Sequence, residues 1–315
     1  MTISSSCVSG LRRGALVLAS AGLLLAAGDS AGCSLNAYGD QGGWGWGDTV
    51  KETRVMTVAA VAGKPINVKS KNGGVSIKAT ERADVMITAK LQAKTKERLA
   101  TVKLIAERTA DGTLTVRPEW PEGDAAWRKS VQGDGCTFEI EVPDAVGVVV
   151  DTSNGGISIS GLSGAAVLES SNGGVDVNEH AGDLTIDTSN GGVSVEGIDG
   201  ALKIDTSNAG VDVKDVLGAV AIDTSNGGVN VELAAENAGP VVIESSNGAV
   251  DLTVGPAFKG TLVLDTSNGT VSVPAGLGKV VSKSKSSAKV EVGDGPKSVV
   301  DTSNGSVSVS LSKKG

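Results

Sequence analysis

The chain has 315 residues, a formal net charge of −8, and only 2% aromatic residues. An acidic balance with no basic stripe repels phosphate backbones and excludes nucleic acid as a partner. Of three cysteines, two lie in the first 33 residues, so Cys136 has no disulfide partner in the remainder and stability must come from packing.

Arg12 and Arg13 precede Ala15 to Ala27, a run of small and apolar residues. The run is shorter than the roughly 20 residues a membrane-spanning helix needs, so residues 1–32 read as an export signal. The stretch Ser30-Ala31-Gly32-Cys33 resembles a bacterial lipoprotein signal box, although that family favours Leu where this chain has Ser30. The resemblance implies that Cys33 becomes the first residue and carries a lipid, anchoring the chain to a membrane of the cell envelope. The other reading is ordinary cleavage and a soluble secreted product. Residues 33–50, rich in Gly around Trp44 and Trp46, read as a flexible tether with a reach of about 20–25 Å.

Residues 51–150 hold a first rung, Lys71-Asn72-Gly73-Gly74-Val75-Ser76-Ile77, and then a segment without repeats. Alternation predicts strands near Val85 to Leu91, Val102 to Glu107 and Thr113 to Arg117, with Asp111-Gly112 turning the last pair. A helical turn is expected at Lys96 to Ala100. A solenoid needs an atypical unit over its first rung, and this irregular β-rich segment is the candidate cap.

Residues 151–315 repeat a stamp. Asp151-Thr152-Ser153-Asn154-Gly155-Gly156 returns, with small changes, at Asn172, Asn190, Asn208, Asn226, Asn247, Asn268 and Asn304. The steps are 18, 18, 18, 18, 21, 21 and 36, the last hiding a decayed copy near Ser287. Each stamp lies between two alternating runs, such as Leu202/Ile204 and Val211/Val213. Asn-Gly between such runs is also the strongest hairpin signal. Hairpins, however, do not require identical turns, whereas parallel in-register stacking rewards identical side chains about 4.8 Å apart. The expected fold is therefore all-β: a single-stranded parallel β-solenoid (β-helix) of about ten rungs. In it, the eight Asn of the stamps form an inward ladder, Thr points inward, Gly supplies a positive φ, and Asp and Ser face solvent. Ser284 to Lys289 would be a misaligned rung. Val307 to Leu311 would end the stack, with Lys313 and Lys314 guarding its edge.

Phe138-Glu139-Ile140-Glu141-Val142-Pro143, a short turn, Val148-Val149-Val150 and the Ser-Asn-Gly-Gly rungs together resemble the bacterial putative-adhesin family over residues 51–312. The resemblance implies a cell-envelope β-solenoid of largely undetermined function, without an active-site motif to carry over.

The residues themselves offer little chemistry. His180, the only histidine, falls in an expected loop, Asn178 to Gly182. Gly28-Asp29-Ser30-Ala31-Gly32 matches a nucleophile elbow by letters, but it lies in the export signal. No metal cluster or phosphate loop is present in the sequence. Asp151, Glu169, Asp187, Asp205, Asp223, Glu244 and Asp265 fall in one column, with Asp301 beyond. At strand spacing two such charges repel by about 3 kcal/mol before salt screening. Lysines, hydroxyls, protonation or bound calcium must relieve that, and calcium on this column is the only metal or cofactor candidate. The expected protein is a non-enzymatic, adhesin-like binding or structural scaffold for a surface glycan or protein. A carbohydrate-active β-helix enzyme of the envelope is the alternative.

Overall fold

The computed structural model describes residues 34–39 (backbone only), 49–121, 133–143 and 146–312. Residues 1–33, including Cys33 and the whole expected export signal, lie outside the described residues, as do 40–48, with Trp44 and Trp46. Among the described residues no helix is long and apolar enough to cross a membrane.

The repeat coils as a parallel β-solenoid with two strands per rung. One strand of each rung precedes the stamp and lies in a first sheet, as Leu184–Thr188, Leu202–Thr206 and Val220–Asn226 do. The other follows the stamp and lies in a second sheet, as Val193–Ile198, Val211–Val216 and Val229–Leu233 do. Register is strict: Leu184 faces Leu202 and then Val220, and Val193 faces Val211 and then Val229. Each sheet contains thirteen strands among the described residues.

Strand alternation fixes the core. Ile186, Ile204, Ile222 and Ile243 form one inward column, and Val195, Val213 and Val231 form another, all at most 2% exposed. β-Branched side chains stack well on a pleated surface, and each buried one contributes about 1.5–3 kcal/mol relative to exposure. The interior holds few rings because two sheets joined by tight corners leave little room for them.

The first rung, Ile66–Ser70 and Val75–Ala79, lies against Val146–Thr152 and Ile157–Ser160. On its other side the pairing changes character. Gly135–Val142 and Leu114–Glu119 still run parallel to it. Asp84–Ala93, Val50–Ala59 and Lys103–Arg108 then add on antiparallel. The expected strands and helical turn of this cap are all present, the helix as Lys96–Thr101 with Thr95 Oγ1 accepting from Arg98 N at 3.2 Å. Ser34–Gly39 also pairs, antiparallel to Glu52–Thr57, so the beginning of the expected tether is strand.

The far end departs from expectation. The last rung, Lys297–Asn304 and Val307–Leu311, does not end the stack. It sits between the rung Val241–Asn247/Val250–Val254 and the rung Thr261–Thr266/Val271–Ser272. The stretch around Ser287 is not a misaligned rung. Lys279–Lys283 and Ser287–Glu291 form a hairpin lying antiparallel to Thr261–Thr266. Lys285 is exposed at its turn, and the hairpin occupies the end of the first sheet with its own Ala288 and Val290 buried, as is Leu277 just before it. Lys313 and Lys314 lie outside the described residues.

Candidate binding faces

The Asn ladder exists, but on the outside. Asn154 Nδ2 donates to Asn72 Oδ1 at 2.7 Å, Asn172 to Asn154 at 2.8 Å, and Asn190 to Asn172 at 3.0 Å. The series continues through Asn208, Asn226, Asn247 and Asn304 to Asn268. All of these amides are at the outward corner, because in-out alternation stops after Thr: Ser and Asn both face outward whether the strand ends at Thr, as in Leu202–Thr206, or runs on to Asn, as in Val220–Asn226. Thr does point inward: Thr152, Thr188, Thr206, Thr224, Thr266 and Thr302 are at most 2% exposed.

The glycine requirement also differs from expectation. The first glycine of the repeated stamps is not at positive φ. It is required by close approach: a Cβ on Gly173 would lie 1.9 Å from Gly155 O, and one on Gly191 1.9 Å from Gly173 O. Left-handed geometry belongs instead to the opposite corner, where Gly161, Glu179, Gly197 and Asp215 all have φ between 54° and 71°.

The second glycine faces solvent. Gly74, Gly156, Gly174, Gly192, Gly210 and Gly228 form the floor of an open trough of about 870 Å³ running along the second sheet. Its bank is a polar column of Ser158, Asp176, Ser194, Asp212 and Asn230. Asn230 Nδ2 donates to Asp212 Oδ1 at 3.0 Å, and Lys214 Nζ is 3.5 Å from Asp212. Where the ladder ends at the cap, a second hollow of about 510 Å³ is lined by Lys51, Glu52, Lys90, Gln92, Asn72 and Asn154, among others.

On the first sheet the carboxylates stand in register: Asp151, Glu169, Asp187, Asp205, Asp223, Glu244, Asp301 and Asp265, in that spatial order. Lys69 heads the column, 3.9 Å from Asp151. Among the described residues no three His, Cys, Asp or Glu side chains converge as they would around a metal ion.

His180 is in the core rather than a loop. It ends the strand Val175–His180 at 1% exposure, in the inward column Leu162–His180–Ile198–Val216. Burial pushes its pKa down, partly offset by backbone groups of Gly164, Asp183 and Leu162, yet neither ring nitrogen has a partner of hydrogen-bond geometry. Cys136 is 2% exposed, and burial pushes its thiol up to about 12, slightly opposed by Arg54. Both side chains are inaccessible packing elements.

Sequence reasoning missed the trough, the cap hollow and Asn237. Asn237 is fully buried and plugs the longer 21-residue rung by donating to Val216 O at 2.8 Å and Gly218 O at 2.7 Å. A strict second glycine was the available signal for the trough. A polar residue among the extra residues of the long rung was the signal for the plug.

Parallel rungs, outward Asn ladder and glycine-floored trough define a repetitive two-sheet β-solenoid. A family model described as Toastrack DUF4097 matches residues 64–310, and the chain belongs to that family. No match is found among curated proteins. Among solved structures it is similar to one described as a putative lipid binding protein from Parabacteroides distasonis, at 12% identity and TM-score 0.36, covering 84% of this chain and 97% of that one. A putative adhesin from Bacteroides fragilis aligns at 11% identity and TM-score 0.31, over 84% and 98%. A putative cell adhesion protein from Clostridium sporogenes aligns at 11% identity and TM-score 0.23, over 83% and 100%. With TM-scores below 0.5, these likenesses lend this chain no ligand.

Proposed function

We propose that this chain is a non-enzymatic scaffold of the cell envelope, held to a membrane through a lipid on Cys33, that presents its repetitive faces to glycans or proteins. The observation carrying this reading is the trough: its floor and bank recur at every rung from Gly74 to Gly228 without a singular catalytic cluster. A surface with a polar bank at about 4.8 Å intervals matches an extended polymer that offers the same group repeatedly. A glycosidase would instead concentrate one pair of carboxylates at one place. The acidic column is a solvated face that keeps rods apart and soluble.

Glycan-array binding by residues 34–315 tests the reading. Binding to extended polysaccharides, weakened by Ser158→Arg or Ser194→Arg on the bank, is the expected result. A blank array would remove the glycan reading and leave proteins as the ligands to screen. Lipid labelling of the exported chain, lost in Cys33→Ser, tests the anchor.

A further inference from the structure

The position of the last rung is the least ordinary feature of the fold. Residues 297–311 carry a complete stamp, Asp301-Thr302-Ser303-Asn304-Gly305, and are clamped by complete stamps on both sides. Asn304 Nδ2 donates to Asn247 Oδ1 at 2.9 Å and Asn268 Nδ2 donates to Asn304 Oδ1 at 2.9 Å. Ser298 Oγ accepts from Val241 N at 3.0 Å, and Thr302 Oγ1 donates to Gly248 O at 3.0 Å.

Chain order makes this slot unusual. The rung 261–272 precedes the last rung in sequence, and its stamp matches that of the 241–254 rung. Only six residues, 255–260, join these two rungs across two strand spacings, whereas seven, 234–240, join the preceding pair across one. The six-residue connection is therefore long enough for rung 261–272 to stack directly on 241–254 when residues 297–311 are out. To enter, the last rung must reach under Thr261 through the five-residue link 292–296. That crossing is tight: a Cβ on Gly260, at φ +106°, would lie 1.9 Å from Pro296 O, and one on Gly295 2.9 Å from Gly260 N.

An expelled last rung keeps two bare strand edges and its buried valines, Val300, Val307 and Val309, become exposed. What fits it in register is a slot with a stamp on either side, and a second copy of this chain carries that same slot. We propose that the rung 297–311 is an exchangeable strand pair, and that two copies link by inserting their last rungs into each other's slots. Reciprocal exchange preserves the rung-to-rung contacts of the closed molecule, so its cost is confined to association and to straightening the 292–296 link, which gives up its bonds from Thr261 N to Pro296 O and from Val292 N to Gly260 O. Such a link would join copies independently of any glycan, and so goes beyond the scaffold reading.

The test uses the full chain with Cys7→Ser and Cys33→Ser; Cys136 is buried and stays. Ser246 and Ser303 are exposed neighbours across the slot, since Ser245 faces Thr302 and Asn247 faces Asn304. Adjacent strands bring such Cα atoms within disulfide reach. A chain with Ser246→Cys is mixed with a chain with Ser303→Cys, unfolded, refolded at low and high concentration, and oxidised. The expected result is a dimer by light scattering that contains the mixed disulfide, with a dimer-to-monomer ratio rising in proportion to monomer concentration. In Gly260→Val the crossing is blocked, so the last rung should become protease-sensitive while the rest stays folded. The chain carrying both Ser246→Cys and Ser303→Cys should close its own disulfide at low concentration. If it does so while the mixed pair yields only monomer, exchange is refuted. If it fails to close, the intercalated rung itself is refuted.

Discussion

The two ends of the solenoid solve the same problem in opposite ways, and both differ from the repetitive middle. At the amino-terminal end a non-repeating segment changes from parallel to antiparallel pairing and adds the helix Lys96–Thr101. There Arg98 forms a buried ion pair with Asp134 at 2.7 Å and lies 5.3 Å from the Trp120 ring centroid. At the carboxy-terminal end a degenerate stamp folds back as a hairpin, while the last intact stamp is drawn inside the stack. Intact stamps template further stacking, so sequences that have lost the stamp are placed where stacking must stop. The middle is held by identity between neighbours, and the ends by particular side chains.

This difference can be broken from the middle first. Gly191→Val puts a side chain where a Cβ already meets Gly173 O at 1.9 Å, and backbone cannot yield as a flexible side chain would. We expect a loss of about 3 kcal/mol or more, measured by urea unfolding. Gly276→Val at the far end, where the glycine has φ +89° and nothing within 4 Å, should cost about 1–2 kcal/mol through backbone strain alone. Equal costs would show that the rungs are not in the close contact described.

The cap comes next. Asp134→Ala leaves Arg98 buried beside a missing carboxylate, a change that typically costs about 3 kcal/mol when the ion pair is fully desolvated. Hydrogen exchange should accelerate in Asp84–Ala93 and Lys96–Thr101 and remain slow in Leu202–Thr206, because solenoid units couple mainly to their neighbours. Uniform acceleration along the chain would contradict that separation.

His180 offers a smaller, pH-dependent probe of the middle. Its folded pKa lies below its unfolded value near 6.5, so the unfolded chain binds a proton that the folded chain resists. Stability is therefore fully present above pH 6.5 and is lost as pH falls toward the lowered folded value. His180→Leu should abolish this slope between pH 7 and 5 and raise stability by roughly 1 kcal/mol, since it replaces an unpartnered polar ring with a residue matching Leu162 and Ile198. An unchanged slope would assign the acid sensitivity to other groups.

How much of this was legible follows from the same contrast. Alternation revealed the inward columns, and the cap strands were readable from Val85 to Leu91 and from Thr113 to Arg117 because local pattern and turn chemistry agree there. The outward direction of Asn154 was not legible, since strand alternation says nothing once Ser153 enters the corner. His180 was misplaced as a loop residue, although Leu162, His180, Ile198 and Val216 fall at 18-residue steps and mark an apolar column. The position of the last rung was hidden for a deeper reason. Identical stamps are mutually compatible, so Asn268 can follow either Asn247 or Asn304, and only the crossing at Gly260 and Gly295 decides.

Ala209 is the exception that measures the middle most finely. It occupies the first-glycine position, and the hydroxyl ladder fails around it. Ser170 donates to Gly155 O at 3.1 Å and Thr152 to Gly73 O at 3.1 Å, and at the far end Thr302 and Thr266 bond likewise. Thr206, Thr224 and Ser245, the three rungs at and after Ala209, have buried hydroxyls without partners among the described residues. The rungs after Ala209 are no further apart than elsewhere: a Cβ on Gly227 would lie 1.9 Å from Ala209 O and one on Gly248 1.9 Å from Gly227 O, as close as Gly191 to Gly173 O. The methyl therefore acts only on the preceding rung, where Thr206 would otherwise bond as Ser170 does. Ala209→Gly should regain at most that one hydrogen bond, worth about 1 kcal/mol. Against that stands the greater freedom of glycine in the unfolded chain, about 0.5–1 kcal/mol. The two effects nearly cancel, so stability by urea unfolding should change by less than about 1 kcal/mol, with exchange at Thr224 and Ser245 unchanged. A gain of about 2 kcal/mol or more, with slower exchange at Thr224 and Ser245, would show instead that the methyl spreads the rungs beyond its own contact.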